Sequence, residues 1–178
     1  MGLKEKLTRL REDAVDRDPA ARITRWTVAV AELYADIERW LSEYAADGLM
    51  VSRRETITVE ESPVGTYGIE RLEFDLPAGR TLVFNPVGLD VIAADGRVDV
   101  YVQGALSEGA SLILNARPGA VLRSLAGLPP SSPLGWVLRR KLPSTFGNRI
   151  GALTGLVQEE EVPLTQENLE STIEALLG

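Results

Sequence analysis

Arg139, Arg140 and Lys141 are consecutive, Trp136 precedes them, and Arg149 follows in the same acid-free stretch. Guanidinium groups beside an aromatic ring suit a nucleic-acid strand, another polyanion or a phosphorylated ligand. The planar fork donates paired hydrogen bonds to phosphate oxygens, and the ring stacks a base. With Arg123 added, the candidate binding residues are Arg123, Trp136, Arg139, Arg140, Lys141 and Arg149. On a strand, Arg139 and Lys141 would share one face with Val137, while Trp136, Leu138 and Arg140 would share the other.

These residues lie in a window without a single carboxylate. Residues 109 to 158 carry six cations and no Asp or Glu, while the other 128 residues hold 13 basic and 26 acidic side chains. The last twenty residues supply Glu159, Glu160, Glu161, Glu167, Glu170 and Glu174, a charge of −6 that could neutralise the window within the molecule or across a subunit boundary. A third reading is that the window is acid-free because much of it is a buried strand pair. The net charge of −7 opposes non-specific nucleic-acid binding, so the two structural readings are favoured over an external polyanion.

Carboxylates offer a second kind of chemistry. Glu73 and Asp75 are two apart on an expected strand and would project to one face, where they could share a hard cation such as Mg²⁺. Asp90, Asp95 and Asp99 form another such group. The simpler expectation is that Glu73 and Asp75 line the solvated face opposite Leu72, Phe74 and Leu76, and that Asp95 is a turn residue. Lys141 is the only lysine outside the first expected helix, which weakens a metal-nuclease reading. No metal-ligating set and no cofactor is assigned.

Absent residue types narrow the field further. With no cysteine there is no thiol nucleophile, disulfide or thiolate metal site. With no histidine there is no Ser-His triad and no ordinary zinc catalysis. Three lysines stand against sixteen arginines, and arginine recognises anions without serving as an everyday base. Walker, dinucleotide-binding and nucleophile-elbow patterns are missing from the sequence.

The elements that must carry these residues follow from periodicity. Leu3, Leu7 and Leu10 mark a short amphipathic helix. Asp18-Pro19 reads as N-cap and first turn of a second helix, whose stripe Ile23, Trp26, Val30, Leu33, Ile37, Trp40 and Tyr44 runs to Asp47-Gly48. That stripe suits packing within its own domain, with self-association as the competing use. Alternation then replaces helical spacing. Strands are expected around Ile57 and Val59, Leu72 to Leu76, Arg80 to Asn85, Ala110 to Asn115, Ala120 to Leu125 and Leu134 to Leu142, with a loop from Pro63 to Gly68. Val91 to Ala94 and Arg97 to Val102 are expected to form a hairpin closed by a type I′ turn at Asp95-Gly96. Thr165 should cap a final helix with Leu169, Ile173, Leu176 and Leu177 on its inner face.

The expectation is a single α+β domain over 1–178. A helical amino-terminal arm (1–48) leads into a mainly antiparallel sheet (54–158) built as a sandwich, roll or partly open barrel, and a closing helix (164–177) follows. No run of about twenty apolar residues and no signal-peptide core is present, which points to the cytoplasm and away from membranes. The favoured function is a non-catalytic interaction or binding module, dimeric through the Pro19 to Asp47 helix, with a protein partner or a second copy of itself. A polyanion binder acting through the Arg-rich surface and a carboxylate/Mg²⁺ hydrolase are the alternatives.

Overall fold

The computed structural model describes residues 2–8, 18–89, 91, 94–105, 109–114, 135–141 and 159–178. A long helix, Pro19–Trp40, is followed by one further helical turn, Ser42–Ala46. Seven strands come next: β1 (Val51–Glu61), β2 (Gly65–Leu76), β3 (Arg80–Gly88), β4 (Gly96–Val102), β5 (Ala110–Leu114), β6 (Trp136–Lys141) and β7 (Glu159–Pro163). The helix Gln166–Leu177 closes the chain. All seven strands form one sheet in the order β1-β2-β3-β4-β5-β6-β7, every neighbouring pair antiparallel. The fold is α+β with an open sheet, as expected, and its two edges are its first and last strands.

Local chemistry starts and stops the helices where the sequence suggests. The Asp18 carboxylate accepts from the Ala20 N–H at 3.1 Å, and Pro19 occupies the first helical position, where its missing N–H costs nothing. Thr165 accepts from the Asn168 N–H at 3.2 Å and starts the closing helix in the same way. Arg80 donates to the Leu177 carbonyl at 2.7 Å, placing a cation at the negative end of that helix. Gln166 donates to the Trp40 carbonyl at 3.2 Å and ties the start of one helix to the end of the other.

The helical stripe is consumed inside the chain. Trp26, Val30, Leu33, Tyr34, Ile37 and Leu41 are buried in one cluster with Leu72, Phe74, Leu82, Phe84, Val98, Val100, Leu112 and Leu138. Ile23 and Trp40 pack against it partly buried, and Tyr44 stands exposed. The long helix lies over β2, and the closing helix lies over β4 and β6. At the centre, Trp26 and Trp136 meet with ring centroids 6.0 Å apart, and Phe74 meets Phe84 edge-on at the same separation. Each such side chain contributes about 1.5–3 kcal/mol through burial.

Three local expectations need correction. The first arm of the expected hairpin, Val91 to Ala94, lies partly outside the described residues, but Asp95-Gly96 is not the expected type I′ turn into β4. The partners of β4 are β3 and β5, and Gly96 opens the strand without positive φ. The reason for glycine is close approach: a Cβ at Gly96 would lie 2.2 Å from Cζ3 of Trp26. The loop expected at Pro63 to Gly68 shrinks to a turn over 62–64, because β2 begins at Gly65, whose φ of +113° suits glycine. The third correction concerns β2. Leu72 and Phe74 are buried toward the core, yet Glu73 between them is only 6% exposed, so its side of the strand is not simply solvated.

Burial along β2 also slips phase. Tyr67 and Ile69 are buried at odd positions, then Leu72 and Phe74 at even ones, while pairing with β1 continues unbroken. β2 pairs with β3 only from Leu72 onward. Toward the turn, β1 and β2 therefore form a two-stranded arm, and such ribbons twist more strongly than wide sheets. On the second side of the arm, Tyr67 and Ile69 are buried. There the Tyr67 hydroxyl donates to the Glu61 carboxylate, which also accepts from the Leu89 N–H at 3.2 Å.

Candidate interaction surface

The basic run sits on β6, and β7 lies directly beside it. The register places Arg139 opposite Glu161, Arg140 opposite Glu160 and Lys141 opposite Glu159. Arg139 donates to Glu161 through Nε at 3.0 Å and through a terminal nitrogen at 2.6 Å. Arg140 donates to Glu160 at 2.6 Å and to Thr172 of the closing helix at 3.2 Å. Trp136 is 1% exposed and belongs to the core, while Lys141 is exposed at the strand end. Arg123 and Arg149 lie outside the described residues. The three compensating acids that face the cations, Glu159 to Glu161, form a strand that precedes the closing helix. A Glu-Glu-Glu run has low strand propensity, and the cross-strand cations overcome it.

A second charge ladder crosses β1 and β2. Glu73 takes Arg53 at 2.6 Å and Arg71 at 2.8 Å; Arg53 also lies 3.5 Å from Asp75, and Arg71 pairs with Glu55. The chain Asp75–Arg53–Glu73–Arg71–Glu55 thus alternates in sign, with its middle member buried. Glu73 and Asp75 do share a side of the strand, but they are bridged by guanidinium groups. Among the described residues no cluster of three or more potential ligands is arranged to hold a metal ion. Asp99 pairs with Arg97 at 2.9 Å and accepts from Ser111 at 2.9 Å, and Asp90 lies outside the described residues.

Glu73→Gln keeps the shape and removes the charge that two arginines share. We expect a loss of about 1–2 kcal/mol, moderated because Arg53 is 56% exposed, seen as a lower urea midpoint at unchanged slope. Glu55→Gln, at a 59% exposed carboxylate, should move the midpoint little. Equal shifts for the two variants would contradict the ladder.

On the helix side of the same strands, Arg54 donates to Glu38 at 2.7 Å and to Glu70 at 2.9 Å and lies over the Tyr34 ring. Between helix and arm is a cleft of about 310 Å³, lined by Thr27, Val30, Ala31, Thr56 and Gly68 among others. Its one ionisable lining residue among those described is Glu70, already bound to Arg54.

The edge strands differ in kind. β7 has five residues, three of them glutamates engaged toward β6, and ends in Pro163, which cannot donate. β1 has eleven residues and no proline, and residues 51–56 are all exposed. It has β2 on one side and, among the described residues, no strand on the other. Exposed apolar side chains gather at its entry, with Leu49 at 49% and Val51 at 64% exposure and Tyr44 nearby in sequence. Sequence reasoning missed this surface, because the alternation Arg53 to Val59 reads the same in an edge strand as in any half-wet strand. No helix among the described residues is long and apolar enough to cross a membrane.

No family model matches the chain, and neither a curated protein nor a solved structure matches it.

Proposed function

We propose that the chain is a non-catalytic interaction module that associates with itself. The observation that carries this reading is β1, an eleven-residue strand at the sheet edge whose outer side pairs with no other strand among the described residues. Its outward N–H and C=O groups form a ready template for another strand, and no bulge or proline interrupts it. The long helix supports the reading by elimination, since its apolar stripe is already spent on the core and leaves the sheet edge as the surface for a second chain. Arg139 and Arg140, the cations a polyanion would need, are compensated by Glu161 and Glu160. A cytoplasmic setting belongs to the same proposal and is supported by the cysteine-free composition.

Sedimentation velocity over a wide concentration range tests the reading. A reversible monomer–dimer equilibrium is expected, and a monomer at every concentration would overturn it.

A further inference from the structure

We infer that a second copy of this chain adds to the outer edge of β1 by antiparallel strand pairing, with the two-fold axis midway between Ile57 and its copy. The inference rests on the self-association reading and adds the surface, the symmetry and the register.

The register follows from the charges on β1. The strand reads Val51-Ser52-Arg53-Arg54-Glu55-Thr56-Ile57-Thr58-Val59-Glu60-Glu61, cationic toward its start and anionic at its end. A two-fold axis perpendicular to the sheet must lie midway between the two copies of one residue, on which the pairing is centred, because paired residues point to the same face. Centring on Arg54 sets that arginine against its own copy. Centring on Glu55 opposes the two Glu55 carboxylates, and centring on Thr58 opposes Glu55 and Glu61. Centring on Thr56 brings no opposite charges together. Centring on Ile57 places Arg53 opposite Glu61, Arg54 opposite Glu60, Thr56 opposite Thr58 and Ile57 opposite itself. The Arg54–Glu60 match then occurs twice by symmetry, the Glu61 carboxylate being already engaged by the Tyr67 hydroxyl and the Leu89 N–H, and no like charges face each other. Opposite charges across a strand pair stabilise it, and like charges directly opposite destabilise it.

The arginines have donors to spare. Arg53 is 56% exposed and reaches Glu73 and Asp75 through one terminal nitrogen. Arg54 uses Nε and one N–H from each terminal nitrogen toward Glu38 and Glu70, leaving two of its five donors. Glu60 is exposed and makes no ion pair among the described residues. Charged residues on an edge strand ordinarily prevent pairing; here their order favours one self-pairing over its neighbours. The product is a continuous fourteen-stranded sheet, twice the seven strands of one chain, with β7 at both ends.

The absence of cysteine makes the test clean, since each introduced thiol reports only on its own position. Thr58→Cys places the two thiols about 7 Å apart along the strand, and Ser52→Cys about 34 Å apart, at ~3.4 Å per residue. A short bifunctional thiol crosslinker should join the Thr58→Cys dimer and not the Ser52→Cys dimer. Glu60→Arg should raise the dissociation constant about tenfold or more while leaving thermal unfolding of the monomer unchanged. A dimer that sediments normally but crosslinks at Ser52→Cys and not at Thr58→Cys, or is indifferent to Glu60→Arg, overturns the register and leaves the self-association reading standing. Absence of any dimer overturns both.

Discussion

Gly96→Ala is expected to destabilise the protein by about 3 kcal/mol, the upper end of what one added methyl costs in a packed core. The methyl would lie 2.2 Å from Cζ3, 2.5 Å from Cε3 and 2.8 Å from Cη2 of Trp26. The indole cannot withdraw, because it is 2% exposed and backed by Trp136 at 6.0 Å. For a chain of this size the loss corresponds to a fall in melting temperature of about 6–12 °C. The cause is testable by a double-mutant cycle. Combining Gly96→Ala with Trp26→Phe should cost clearly less than the sum of the single changes, because the smaller ring vacates the space the methyl needs. Strict additivity would show that Gly96 is required for some other reason.

Alkaline pH should unfold the protein through two buried tyrosines. Burial pushes the Tyr34 hydroxyl well above the usual phenol range while it donates to the Phe84 carbonyl at 2.9 Å. Tyr67 is raised likewise, by burial first and by the Glu61 carboxylate that accepts its proton second. In the unfolded chain both phenols ionise near pH 10. Their stabilising contribution is therefore complete below about pH 10 and declines above it, where the unfolded state has released protons that the native state keeps. The expected slope is ~1.4 kcal/mol per pH unit for each tyrosine. Urea midpoints measured between about pH 9 and 12 give the slope directly, and Tyr34→Phe should remove close to half of it. A Tyr34→Phe variant with the parental slope would refute the assignment.

The helices were legible in the sequence because their signals are local. Asp18-Pro19 and Thr165 cap through atoms two or three residues away, and the stripe from Ile23 to Trp40 has no second interpretation as to shape. The strands were legible as segments where apolar and polar residues alternate, as in Leu72 to Leu76. What failed was anything set by residues distant in sequence. Asp95-Gly96 carries the signature of a tight hairpin, yet Gly96 answers to Trp26, seventy positions earlier. Glu73 reads as a wet-face residue until Arg53 and Arg71 are brought to it by the pairing of β1 with β2. Glu159 to Glu161 have no strand-forming character of their own and become a strand opposite Arg139 to Lys141. The edge position of β1 depends on the order of the whole sheet, which no residue within β1 records.

That order also bears on synthesis. Strands laid down in sequence order let the sheet grow from one side as the chain emerges, and chains are made at about 5–20 residues per second. The outer side of β1 is set at the beginning and receives no later strand among the described residues. The growing side ends at β6 until Glu159 arrives, and until then Arg139 and Arg140 lack their carboxylates. A chain ending at Gln158 would carry 19 basic and 20 acidic side chains and be close to neutral, with Arg139 and Arg140 uncompensated, and the last twenty residues add the six glutamates that bring the charge to −7.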